Sequence, residues 1–179
     1  MSQPSTPAVV SQYLSFFVAG EEYALGILQV REIIEYDTVT RVPGAPAWIR
    51  GVTNLRGSVL PVIDLAVKFG LAPCTPQRRS CIVVVEVSLQ GDKLVLGVLA
   101  DAIGQVVELG PGDMEPPPAF GTPVRVDYLV GLGRAGKKFI LLLDIDRVLQ
   151  GQDLLAAGAL KASEAPPVQA ETSSKEAAR

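Results

Sequence analysis

Few residues in this chain could do chemistry, and the most pointed is Arg56. It stands in GVTNLRGSVLPVIDL (51–65), where an apolar segment reaches a polar turn, Asn54-Leu55-Arg56-Gly57-Ser58, and a second apolar segment runs on to Asp64. Such a frame predicts a hairpin with Gly57 supplying the positive φ of the turn. Arg56 at its tip is either a solvated charge or a guanidinium held out for a partner's carboxylate or carbonyl. Val30 and Glu32 pose a similar choice, between a core residue beside a wet one and an apolar knob with an adjacent acid. Asp64 and Asp144 could be paired carboxylates, but each follows an equivalent apolar run, so capping two equivalent turns is the better reading. Asp144 and Asp146 form a DxD without the glycine turn or terminal acid of a calcium loop. Gly131-Leu132-Gly133-Arg134-Ala135-Gly136 lacks the Gly-Lys-Ser/Thr ending of a phosphate loop and reads as a hairpin.

The 179 residues contain no histidine, which removes any His base, His metal ligand or phosphohistidine. Cys74 and Cys81 have no metal-ligand spacing and read as free thiols of a cytosolic protein. A net charge of −3 gives no basic footprint for nucleic acid or anionic membrane, and no cofactor motif is present. The start, MSQPSTPAVV, does not resemble a signal peptide. No apolar run approaches the roughly 20 residues that span a bilayer.

The elements that would position these residues come in two copies. FVAGEEYALGIL (17–28) aligns with SLQGDKLVLGVL (88–99) at an offset of 71, pairing Gly20 with Gly91, Gly26 with Gly97 and Leu28 with Leu99. Ile33-Ile34-Glu35 aligns with Val106-Val107-Glu108, and Pro61–Leu65 aligns with Leu141–Ile145 at an offset of 80. Two copies predict a pseudo-symmetric pair of small units. Each opens with a hairpin, at 13–18/22–27 and 81–88/93–99. Residues 27–34 fit a short helical turn or a bent strand. Pro46–Ile49 reads as one helical turn, 110–123 as an irregular insertion and Leu149–Lys161 as a terminal helix. Short strands with few helices point to two small barrels. The tails, 1–11 and 162–179, have little to bury, the second containing one large aliphatic residue, Val168, and read as disordered.

GEEYALGILQVREIIEYDTVTRVPGAPAWIRGVTNLRGSVLPVIDLAVKFG (20–70) resembles the CheW family of chemotaxis coupling proteins. The likeness continues through VLGVLADAIGQVVEL, PPPAF and YLVGLGRAGKKFILLLDIDRVL, and covers about 12–150. It implies an all-β fold of two pseudo-repeated five-stranded SH3-like β-barrels with a short C-terminal helix. The CheW-like domain would span 12–161, with subdomains at about 12–75 and 76–150. It also implies a non-enzymatic scaffold without cofactors, placed in the cytoplasm at membrane-bound receptor arrays. The scaffold would couple the cytoplasmic tip of methyl-accepting receptors to the regulatory domain of the histidine kinase CheA. By that resemblance Val30, Glu32, Ile33, Val98, Leu99, Ile103 and Val106 face the receptor. Asn54, Arg56, Gly57 and Phe120 serve kinase binding and coupling, with Phe120 at a second kinase interface that closes rings. The alternatives are the same scaffold role in a pathway for motility or gene expression, and a small ligand-binding barrel.

Overall fold

A computed structural model describes residues 9–89, 91–117, 126–150 and 152–163. The first copy supplies β1 (Ser11–Val18), β2 (Glu21–Gly26), β3 (Val30–Glu35), β4 (Ile49–Leu55), β5 (Ser58–Ile63) and α1 (Leu65–Lys68). The second supplies β6 (Cys81–Leu89), β7 (Asp92–Ala100), β8 (Ala102–Leu109), β9 (Met114–Glu115), β10 (Leu129–Ala135), β11 (Lys138–Leu143), α2 (Ile145–Val148) and the terminal helix α3 (Gln152–Ser163). Segment 27–34 combines both of its sequence readings, a 3-10 turn at Ile27–Gln29 followed by β3. Pro46–Ile49 is a single turn closed by Ile49 N–H donating to the Pro46 carbonyl, not a helix. Strand β1 begins at Ser11, within the segment expected to be a tail.

The sheets do not follow the copies. One runs β8-β1-β2-β11-β10-β9, the other β3-β6-β7-β5-β4. Each copy's opening hairpin therefore lies in the sheet built by the rest of the other copy. The residue 75/76 boundary divides the sequence repeat, and contiguous barrels over 12–75 and 76–150 are not what the sheets contain. Equivalent strands still occupy equivalent places: β2 joins β11 in parallel as β7 joins β5. One sequence match slips. Glu32 lies opposite Val84 and Val107 opposite Tyr13, so β3 and β8 correspond at an offset of 75 rather than 73.

Three apolar cores result. Leu60, Val62, Ile82, Val84 and Leu99 fill the first barrel, and Ala24, Val107, Leu109, Ile140 and Leu142 the second. The largest core lies between the barrels, where Leu14, Phe16, Val18, Tyr23 and Leu25 of β1–β2 meet Val83, Val85, Val87, Leu96 and Val98 of β6–β7. These hairpins are buried on both faces, which is why CIVVVEV (81–87) is a nearly unbroken apolar run. Each fully buried large aliphatic or aromatic side chain there contributes about 1.5–3 kcal/mol before entropy is counted.

Closure of each barrel depends on one glycine. In the first, Thr40 and Val52 exchange N–H···O bonds of 2.8 Å each. A Cβ on Gly51 would lie 2.2 Å from the Thr40 carbonyl oxygen. In the second, β9 pairs with β10, and a Cβ on Gly131 would lie 2.5 Å from the Glu115 carbonyl oxygen.

Candidate functional site

One side of the central core is covered and the other is not. On the covered side Tyr23, Phe69 and Tyr128 form a chain of tilted rings with centroids 5.5 and 6.1 Å apart. Lys68 Nζ lies 4.9 Å above the Trp48 ring and 2.5 Å from Asp153 Oδ2, fixing α3 over α1. On the other side run the edge strands β3 and β8. Their side chains continue the face of the strands beside them, because Val30 and Ile33 pair with Val85 and Val83, and Ile103 and Val106 pair with Phe16 and Leu14. Val30 and Ile103 pack partly on the central core, while Ile33 and Val106 are 44% and 51% exposed. Four apolar side chains thus flank an uncovered groove.

Val98 and Leu99 do not belong to that surface. Both are fully buried, Val98 in the central core and Leu99 inside the first barrel, so neither offers a side chain to a partner. The resemblance-based assignment of these two to receptor contact is corrected accordingly. Leu28, which the repeat pairs with Leu99, is 97% exposed, because the chain leaves the β2 sheet at Gly26 and turns, whereas β7 continues to Ala100.

The Arg56 hairpin has its own geometry. Arg56 and Gly57 carry φ of 51° and 84°, the two left-handed residues of a type I′ turn. Gly57 N–H donates to Asn54 Oδ1 at 2.8 Å, so these two neighbours hold the tip in shape. The sheet register places Gly136 at the site equivalent to Arg56. An arginine thus occupies a left-handed position that the second copy gives to glycine. Its Nη2 reaches Glu32 Oε2 at 2.6 Å, although the arginine side chain stays 76% exposed. The kinase-side and receptor-side candidates therefore meet in one ion pair, a contact between residues 24 apart that no local spacing announced. Phe120 lies outside the described residues.

The remaining candidates are structural. Asp64 caps α1 by accepting from Ala66 N, and it also accepts from Cys74 N at 2.9 Å. Asp144 caps α2 by accepting from Asp146 N and Arg147 N. The second acid of the DxD, Asp146, accepts from Ser88 N and Gln29 Nε2 and so ties α2 to the sheets. No group of three metal-ligating side chains occurs among the described residues. Gly131–Ala135 is a strand, not a phosphate loop. Cys74 Sγ donates to Asp101 Oδ1, and burial beside that carboxylate pushes its pKa up to about 12. Burial raises Cys81 too. Both thiols are free, protonated and inert at neutral pH.

Residues 12–153 match the family described as CheW-like domain. This chain belongs to the CheW family. A chemotaxis protein CheW of Klebsiella aerogenes is 34% identical over 154 residues, covering 86% of this chain and 90% of that one. A probable chemotaxis protein CheW of Rhizobium etli is 30% identical, covering 82% and 92%. The fold matches the crystal structure of scaffolding protein TtCheW from Thermoanaerobacter tengcongensis with a TM-score of 0.70 at 27% identity, over 86% of this chain and 96% of that one. As a CheW-family member the protein is a non-enzymatic coupling scaffold of chemotaxis signalling. The two SH3-like barrels are the CheW architecture. No helix among the described residues is long and apolar enough to cross a membrane.

Proposed function

We propose that this protein joins the cytoplasmic tip of methyl-accepting chemotaxis receptors to the regulatory domain of the histidine kinase CheA, working in the cytoplasm at membrane-bound receptor arrays. The receptor helix lies in the groove between β3 and β8, and the kinase contacts the Arg56 hairpin. The observation that carries this reading is the uncovered side of the central core. Val30, Ile33, Ile103 and Val106 line its two edges, the arrangement that suits a helix laying down an apolar stripe.

Ile33 provides the test. It is half-exposed, so Ile33→Asp puts its carboxylate in water in the free protein and against apolar partners in the complex. The expected result is loss of capture by a receptor cytoplasmic fragment, with the melting temperature within about 2 °C of wild type, as for most surface changes. Wild-type capture by Ile33→Asp would remove the groove from receptor binding. Val30→Asp is a poorer probe, because Val30 also packs on the core.

Arg56→Gly tests the hairpin. A non-glycine residue at φ 51° costs on the order of 1 kcal/mol, similar to the upper value of an exposed ion pair, so removing both leaves stability about unchanged. The variant is expected to fold as wild type and to lose kinase activation in a reconstituted receptor–kinase assembly. Activation retained by Arg56→Gly would return Arg56 to a local structural role.

A further inference from the structure

The arginines of the described chain fall into two groups. Arg31, Arg50, Arg56, Arg134 and Arg147 each pair with an acid of the protein itself. Arg41, Arg78 and Arg79 make no ion pair or side-chain hydrogen bond among the described residues. These three are not scattered. Arg78 and Arg79 are exposed and line one end of the groove between the barrels with Glu35, Tyr36, Ala102 and Ile103. Arg41 lines the adjoining cavity, which shares Tyr36. The other end of the groove has a different character. There Val106 shares a face of β8 with Glu108, whose carboxylate accepts from Gln12.

We propose that the groove is polarised: Arg78 and Arg79 capture a carboxylate on the docked helix and thereby fix the direction in which it lies. This rests on the receptor-helix reading of the groove. Two exposed guanidinium groups without partners among the described residues offer planar, bidentate donors to an incoming acid. Glu35 is the one acid among the residues lining that end, so two arginines leave a net positive charge there. A helix docked in the reverse sense would lose the match and bring its acidic end toward Glu108. Direction is therefore selected by attraction at one end and repulsion at the other.

The fold also sets the spacing. Val30 pairs with Val85 and Glu35 with Cys81 across a bulge, so the edge strand advances only about 13 Å between them, four residues at roughly 3.3 Å each. A helix covers that distance in about nine residues, and the positions on either side of that length that share a face are about 7–8 and 11 residues apart. The partner helix is thus expected to carry an Asp or Glu about 7–11 residues from the apolar side chain that meets Val30.

The experiment uses the full chain, a soluble fragment of the receptor cytoplasmic hairpin, and two variants, Arg78→Glu/Arg79→Glu and Ile33→Asp. The double charge reversal is expected to keep the wild-type melting temperature and to weaken fragment binding about tenfold or more at low salt, with the difference shrinking at roughly 0.5 M salt. Ile33→Asp is expected to weaken binding at both salt concentrations. Wild-type affinity in the double variant, with binding lost in Ile33→Asp, would overturn the polarity and leave the groove reading intact. Wild-type affinity in both would overturn the groove reading itself. Loss of attachment to vesicles containing phosphatidylglycerol, with fragment affinity unchanged, would assign the arginines to a lipid surface and likewise overturn the proposal.

Discussion

Gly51→Ala is expected to lower the melting temperature by roughly 6–12 °C, the equivalent of about 3 kcal/mol in a chain of this size. The added methyl would sit 2.2 Å from the Thr40 carbonyl oxygen, and that oxygen is backbone, already bonded to Val52 N–H. Nothing flexible can yield, so relief requires the closing segment to lift off β4. Thr53, whose hydroxyl donates to the Thr38 carbonyl, would be pulled with it. Gly131→Ala, against the Glu115 carbonyl at 2.5 Å, should cost a similar amount for the same reason. Gly26 is the control. A Cβ there meets only Gln29 Oε1 at 3.9 Å, at an ordinary φ of −55°, so Gly26→Ala should leave the melting temperature within about 2 °C. Thermal denaturation of the three variants checks the set. A Gly51→Ala protein as stable as Gly26→Ala would show that the closing contact is not needed.

The second large effect is expected at Asp64. Asp64→Ala strips a buried acceptor from Ala66 N and Cys74 N, and removes the acid 3.9 Å from the Arg50 guanidinium. Two donors lose their partner at a site with almost no solvent access, at a cost of about 3 kcal/mol. Asp144→Ala makes the same change at the equivalent cap, but there the side chain is about a quarter exposed and water can replace it. The expected cost is about 1 kcal/mol. Urea denaturation of both variants reads the difference. Equal midpoints would mean that the additional Cys74 and Arg50 contacts carry no stability.

That contrast shows where the sequence was informative. Asp64 and Asp144 were legible as a repeated cap because each follows a matched apolar run, and the two copies place them alike. The hairpins, the terminal helix and the alternatives at 27–34 were legible from turn residues and periodicity. The exchange of hairpins was not. A strand such as CIVVVEV is apolar on both faces, so it satisfies the edge of either sheet, and nothing local says which one it joins. Val98 and Leu99 were placed in the groove by resemblance alone, and both faces of β7 are buried there. The Arg56–Glu32 pair escaped because it joins a hairpin tip to the far edge strand of the same barrel. The Arg78-Arg79 doublet drew no reading from the sequence, because its meaning depends on the absence of ionic partners among the described residues, which only the fold reveals.

The exchanged hairpins have a mechanical consequence. In two beads joined by a linker, a pull on one bead is passed on through surface packing, which slides and reseats. Here β1–β2 is laddered to β8 and β11, and its chain continues directly into β3 of the other sheet; β6–β7 repeats the arrangement in reverse. Drawing the barrels apart would load rows of hydrogen bonds along the strands, which must fail together rather than one at a time. The spacing between groove and Arg56 hairpin is therefore held as in a riveted joint, and displacement at one passes to the other with little lost in slack.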